Sequence, residues 1–305
     1  MLRLLAGFLL FACFAWSATP GRQVTYNGHW YSPAPTFDKG YIFAWGDLAS
    51  SPKALYGPDG QKLYDVVLKP AGSRRILVMS AAVDTDGTLA VSYQNWPQKG
   101  AQQGAISLLD TTGKVTRFIN TGAYFATHIC FAPDHSIWTM GEKLLHRSDD
   151  YLVFRNFSRG GQQIGAFVPR SSLPNWEGVG LDQEIGELIG GPSRIKAAKD
   201  RIGALLSPSP FKREWIELDY SGNIRGKWDF TNSLDKSWQP AAFLSDGTLY
   251  ANVWEGHRFT GIAVLDTASG KWKPVKTAQR GYLAGDDGDQ LVYGLGGYRY
   301  RWSRP

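Results

Sequence analysis

The stretch Leu244-Ser-Asp246-Gly-Thr-Leu-Tyr-Ala-Asn252 reads as an apolar strand end, a tight Asp-Gly turn and an alternating apolar strand. Gly supplies the positive φ that such a turn needs, and Asp hydrogen-bonds its own turn backbone. The same phrase recurs along the chain. Copies are Val83-Asp-Thr-Asp86-Gly-Thr-Leu-Ala-Val91, Phe131-Ala-Pro-Asp134-His-Ser-Ile-Trp-Thr139 and Gly285-Asp-Asp287-Gly-Asp-Gln-Leu-Val-Tyr293. Two looser copies are Phe37-Asp38-Lys-Gly-Tyr-Ile-Phe-Ala44 and Ala198-Lys-Asp200-Arg-Ile-Gly-Ala-Leu205. The turn residues Asp38, Asp86, Asp134, Asp200, Asp246 and Asp287 are spaced 48, 48, 66, 46 and 41 apart. Only the third interval breaks the period, and its surplus is one irregular insertion at about 169–192.

A second phrase follows several of these turns. Ala105-Ile-Ser-Leu-Leu-Asp110-Thr-Thr-Gly113 matches Ile262-Ala-Val-Leu-Asp266-Thr-Ala-Ser-Gly270, and Trp215-Ile-Glu-Leu-Asp219-Tyr-Ser-Gly222 repeats it. Each repeat is therefore four short antiparallel strands, A to D, over about 45 residues, the dimensions of a β-propeller blade. Six turns mean six blades, giving an all-β six-bladed propeller. The last repeat runs out one strand short, after a C strand near Tyr298 to Trp302. Gln23-Val-Thr-Tyr-Asn27 has no partner at the other end, so the N-terminal strand is expected to close the last blade. Closure removes the exposed edges of an open sheet.

Composition agrees. Among 305 residues are 35 Gly, 15 Phe, 14 Tyr and 12 Trp, enough rings to fill a large core and enough Gly for many turns. A formal net charge of +6 comes from scattered Lys and Arg rather than from a tract, which argues against nucleic acid as a partner. Met1-Leu-Arg3 followed by an apolar run to Trp16 has the form of a secretory signal, with cleavage after Ser17. Residues 1–17 are thus expected as a signal peptide and 18–305 as one propeller domain. Leu10-Phe11-Ala12-Cys13 also resembles a bacterial lipobox, so a lipid anchor at Cys13 is the alternative to simple cleavage. No stretch is long enough to span a membrane, and the expected location is secreted or periplasmic. Cys130, in an apolar run, reads as a small core residue.

In these turns the chain resembles the six-bladed propellers of the NHL and gluconolactonase-like group. The resemblance covers nearly the whole mature chain but is architectural, since Asp-Gly turns recur across propeller families. It implies a propeller and, in some members, hydrolysis at a divalent cation in the channel. No early-blade Glu matches such a site. Asn252 falls on a B strand and Asp287 in a tight turn, where structural roles are expected. No Zn spacing, phosphate loop or Gly-x-Ser-x-Gly is present. No catalytic residue, metal or cofactor is assigned. The acidic residues Asp182, Glu184 and Glu187 lie in the insertion, read as a solvated loop.

In a propeller the D-to-A and B-to-C connections share one face at the mouth of the central channel. They carry the candidate ligand-binding residues Trp96, Lys99, Tyr124, His128, Trp238, Trp254, His257, Arg258 and Arg280. Rings beside Arg and His suit a glycan, an aromatic or anionic small molecule, or a protein. The competing reading makes the rings wedges between blades. The expectation is an exported, non-catalytic binding or interaction propeller of the cell envelope. The alternative is a lactonase-like hydrolase or lyase with an atypical channel site.

Overall fold

The computed structural model describes residues 23–25, 36–44, 53–70, 72–143, 150–173, 194–206, 212–233, 235–256, 258–277, 281–295 and 299–305. Its described residues form six four-stranded antiparallel sheets. Blade 1 holds β2 (Thr36–Asp38), β3 (Tyr41–Ala44), β4 (Ala54–Tyr56) and β5 (Lys62–Asp65). Blade 2 holds β6 (Ser73–Val83), β7 (Leu89–Pro97), β8 (Gln103–Leu109) and β9 (Val115–Gly122). Blade 3 follows with β10 (Tyr124–Phe131), β11 (Ile137–Lys143), β12 (Leu152–Phe157) and β13 (Gln163–Pro169). Blade 4 has β14 (Ile195–Ala197), β15 (Arg201–Leu206), β16 (Lys212–Asp219) and β17 (Ile224–Thr231). Blade 5 has β18 (Lys236–Phe243), β19 (Leu249–Glu255), β20 (Arg258–Asp266) and β21 (Lys271–Pro274). Blade 6 is β22 (Tyr282–Asp286), β23 (Leu291–Gly294) and β24 (Arg299–Ser303), completed by β1 (Gln23–Thr25).

The expected closure is therefore observed: Gln23 pairs with Arg301, Val24 with Tyr300 and Thr25 with Arg299. All six anticipated Asp turns lie between the first and second strands of a blade. Gly247 shows why Gly recurs there. Its φ is +85°, and an added Cβ would run into the Arg201 guanidinium of blade 4. Blade 3 puts His135 at the same place with φ +65°, and its ring reaches back to Asp84 of blade 2 at 2.9 Å. An interblade bond thus accompanies the strained backbone of a non-Gly residue. A 3₁₀ turn at Arg170–Ser172 follows β13, and the rest of the expected insertion lies outside the described residues.

The core lies between neighbouring blades, because each sheet has apolar residues on both faces and every face meets a neighbour. Aromatic rings span these junctions. Trp138 of blade 3 meets Tyr220 of blade 4 at 5.9 Å, Trp215 of blade 4 meets Phe243 of blade 5 at 5.1 Å, and Phe37 of blade 1 meets Tyr300 of blade 6 at 4.4 Å. Polar clamps supplement them. Asn252 on β19 accepts from Leu283 N–H at 2.7 Å and donates to Leu283 C=O at 2.9 Å, tying blade 5 to blade 6. Ser80 Oγ accepts from Ile129 N–H across blades 2 and 3. Cys130 is buried, and burial pushes its thiol well above the ordinary value, as suits a core residue.

Candidate functional site

The loop face is built from strand ends that rise above the core. Along β6 the side chains pass from exposed Arg74 and Arg75, through half-buried Ile76 and Leu77, to buried Val78. Arg75 stands 5.2 Å over the ring of Trp96, which is half-buried on β7, and Lys99 beyond it is exposed. Ser73 Oγ donates to Asn95 Oδ1 at 2.6 Å, and Gln98 N–H bonds Gly72 C=O, so the hairpin arm is braced at its tip.

Blade 5, on the opposite side of a six-membered ring, raises a second arm. Register pairs Lys236 with Glu255, Ser237 with Trp254 and Trp238 with Val253. Across the next strand Trp254 pairs with Phe259 and Glu255 with Arg258. Alternation then sends Lys236, Trp238, Glu255 and Arg258 to one face of the sheet, and Trp254 with Phe259 to the other. Trp254 meets Phe259 at 5.7 Å, edge to face, and Phe259 packs on the junction with blade 6. Trp238 packs toward blade 4, with Lys236 Nζ 5.5 Å from its ring centre. Both Asn232 side-chain polar atoms bond the Trp238 backbone, which fixes the ring's origin.

The candidates are thus not one platform. Trp96 and Lys99 stand on blade 2, Trp238 and Arg258 on one side of blade 5, and Trp254 on its other side. Tyr124 is 1% exposed and donates its hydroxyl to Val153 C=O at 2.8 Å, with Arg155 stacked 4.0 Å above the ring. It packs inside blade 3 and is not displayed at the mouth. His128 is likewise buried, in the middle of β10, with Nδ1 facing Arg194 N–H at 3.5 Å. Burial, with help from Arg194, pushes its imidazole down to about 3, so it is neutral near pH 7. The sequence reading placed it at a D-to-A connection; it lies instead inside β10, just past a bulge between Ala126 and His128 that the sequence did not announce. His257 and Arg280 lie outside the described residues, as do residues 1–17, Cys13 and the acidic residues Asp182, Glu184 and Glu187.

The opposite end of the channel holds a feature that sequence reading missed. Where the innermost strands run into their first turns, a cavity of about 50 Å³ is lined by Asp38, Lys39, Cys130, Lys196 and Asp286 among apolar neighbours. Asp38 Oδ2 accepts from Val83 N–H at 2.8 Å, linking blades 1 and 2. Protein surrounds this carboxyl on all sides, yet it keeps some accessible surface, as expected of a group facing an internal channel. Burial raises its pKa, and the nearby Lys39 and Lys196 oppose that rise. Lys196 and Asp286 form an ion pair across blades 4 and 6, and Asp286 also accepts from Phe243 N–H at 3.0 Å. Lys39 Nζ donates to Val83 C=O at 3.1 Å and lies 4.0 Å from Asp84. The available signal was Lys196, a charge between Ile195 and Ala197 in a strand that must face the channel.

No group of three or more His, Cys, Asp or Glu among the described residues is placed to hold a metal ion. Asn252 and Asp287, the nearest sequence counterparts to channel ligands, sit in an interblade clamp and in the β22–β23 turn. None of the helical segments among the described residues is long and apolar enough to cross a membrane.

No protein-family model matches the chain, and no curated protein matches it in sequence. Solved structures similar to it include a Bacteroides caccae protein of unknown function, at 14% identity and TM-score 0.42, covering 88% of this chain and 98% of that one. A candidate exported protein of Bacteroides fragilis has 10% identity and TM-score 0.47, covering 90% and 83%. A mutant apocarotenoid oxygenase of Synechocystis has 11% identity and TM-score 0.40, covering 85% and 64%.

Proposed function

We propose that the protein is an exported, non-catalytic binding propeller of the cell envelope that engages a glycan, small molecule or protein on its loop face. The observation that carries this reading is the pair of raised arms on blades 2 and 5, each ending in a half-buried Trp under a cation. Trp96 with Arg75 and Trp238 with Lys236 present flat apolar area with a fixed charge beside it, the combination that suits sugar rings and aromatic or anionic groups. The arms lie half a ring apart, which favours a ligand or partner broad enough to reach across the mouth. Support for a binding rather than catalytic role comes from the ionisable groups Asp38, Asp84 and Asp286, each of which bonds a neighbouring blade.

Glycan and peptide arrays probed with purified protein test the reading. Signals obtained with the unaltered chain should fall at least about tenfold in Trp96→Ala and in Trp238→Ala, as expected when a central aromatic anchor is removed. Undiminished binding in the double variant would reject the loop face as the site. Fractionation of producing cells, followed by N-terminal sequencing, tests export and distinguishes cleavage after Ser17 from lipidation at Cys13.

A further inference from the structure

The cavity at the turn end of the channel lies on the face opposite the proposed loop-face binding site. Its volume of about 50 Å³ is room for about four water-sized groups, hence for a molecule of about five or six non-hydrogen atoms. Four charged side chains reach it, and their hydrogen bonds are unevenly used. Lys196 is paired with Asp286, and Lys39 donates to Val83 C=O. An ammonium offers three donors, so both lysines keep N–H capacity. Asp38 accepts through Oδ2 alone, and its Oδ1 has no hydrogen-bond partner among the described residues. The rest of the wall includes Phe37, Ile129, Phe131 and Ile195.

Charge balance then selects the class of ligand. Two carboxylates and two ammonium groups sum to zero, and all four are largely withdrawn from solvent. A bare anion or cation would add an uncompensated charge to a region of low dielectric constant, where such charge is costly. A zwitterion adds none. Its ammonium supplies the donor that Asp38 Oδ1 lacks, its carboxylate accepts from Lys39 and Lys196, and a short hydrocarbon group rests on the apolar wall. We propose that the turn-end cavity binds a small zwitterion, an α-amino acid of the size of glycine or alanine.

Thermal melting and calorimetry of the full chain with L-alanine and glycine test this, with propionate and ethylamine as ligands carrying one charge each. L-Alanine should raise the melting temperature in proportion to the logarithm of its concentration. Each single-charge control should bind at least about tenfold more weakly, the loss expected for one charge-assisted hydrogen bond. Asp38→Asn and Lys196→Met should each weaken L-alanine by a similar factor. Lys196→Met also breaks the pair with Asp286, so the ligand series on unaltered protein decides the matter if that variant fails to fold. A melting temperature unmoved by both amino acids, or propionate binding as tightly as L-alanine, overturns the proposal. The Trp96→Ala and Trp238→Ala variants should keep full L-alanine affinity, which separates this site from the loop face.

Discussion

At the turn end of the ring, Asp38, Asp84 and Asp286 each bond a neighbouring blade, whereas at the loop end Arg75, Lys99 and Arg258 face solvent. Both ends carry charge, but only one uses it for construction. Asp84 shows the constructive use most fully: it is 1% exposed and is approached by Lys39 of blade 1 and by His135 and Arg159 of blade 3. A carboxylate so placed must stay paired, because an orphaned buried charge is strongly destabilising. Residues at the loop end carry no such obligation, so substitutions there should cost little stability.

Substitutions can break or sharpen this contrast. The largest loss is expected where a ring fills a blade junction near the turn end. Trp138→Ala should cost about 3–5 kcal/mol, read from the urea midpoint, because a fully buried indole leaves a cavity. Asn252→Ala should cost about 2–3 kcal/mol by orphaning the buried Leu283 N–H and C=O. A cost below about 0.5 kcal/mol for either would mean that the junctions do not govern stability.

Two pH effects come next, of opposite sign. His128 is held down to about 3 against an ordinary 6.5, so below pH 6.5 the unfolded chain takes up a proton that the native one refuses. Stability should therefore fall as pH drops from 6.5 toward 3, and His128→Gln should flatten that limb in urea titrations. Asp38 is raised above 3.8, so the unfolded chain loses its proton first as pH rises. That group should lower stability as pH climbs from 3.8 through its raised value, and Asp38→Asn should remove this component. The smallest effect belongs to the exposed pair Lys62 and Asp65 on β5, at 3.1 Å. Lys62→Ala should leave the urea midpoint unchanged within error, and a clear shift would show that surface pairs matter more here than their exposure allows.

The ring itself was legible because its signals are local. A turn such as Asp246-Gly247 and the alternation after it lie within nine residues, and six copies, at an interval broken once, define both blade number and closure. The channel cluster was not legible, because Asp38, Lys39, Lys196 and Asp286 come from three blades and each looks like an ordinary turn or strand residue by itself. Only closing the ring brings them together. The loop-face candidates were legible as a set of residue types but not as a surface. Trp238 and Trp254 are close in sequence and share a hairpin, yet register sends them to opposite faces of blade 5.

The seam between β1 and β24 has a consequence for how the molecule opens and forms. Among the described residues three pairs hold it, against seven between β16 and β17, and those pairs join the earliest and latest described strands of the chain. A contact of such long range is entropically costly to form and belongs late on any folding route. The same shortness makes it the natural first point of fraying, so exchange of amide hydrogens should start at this latch while the other five blades stay protected. A ring without edges is thus also a ring with a clasp.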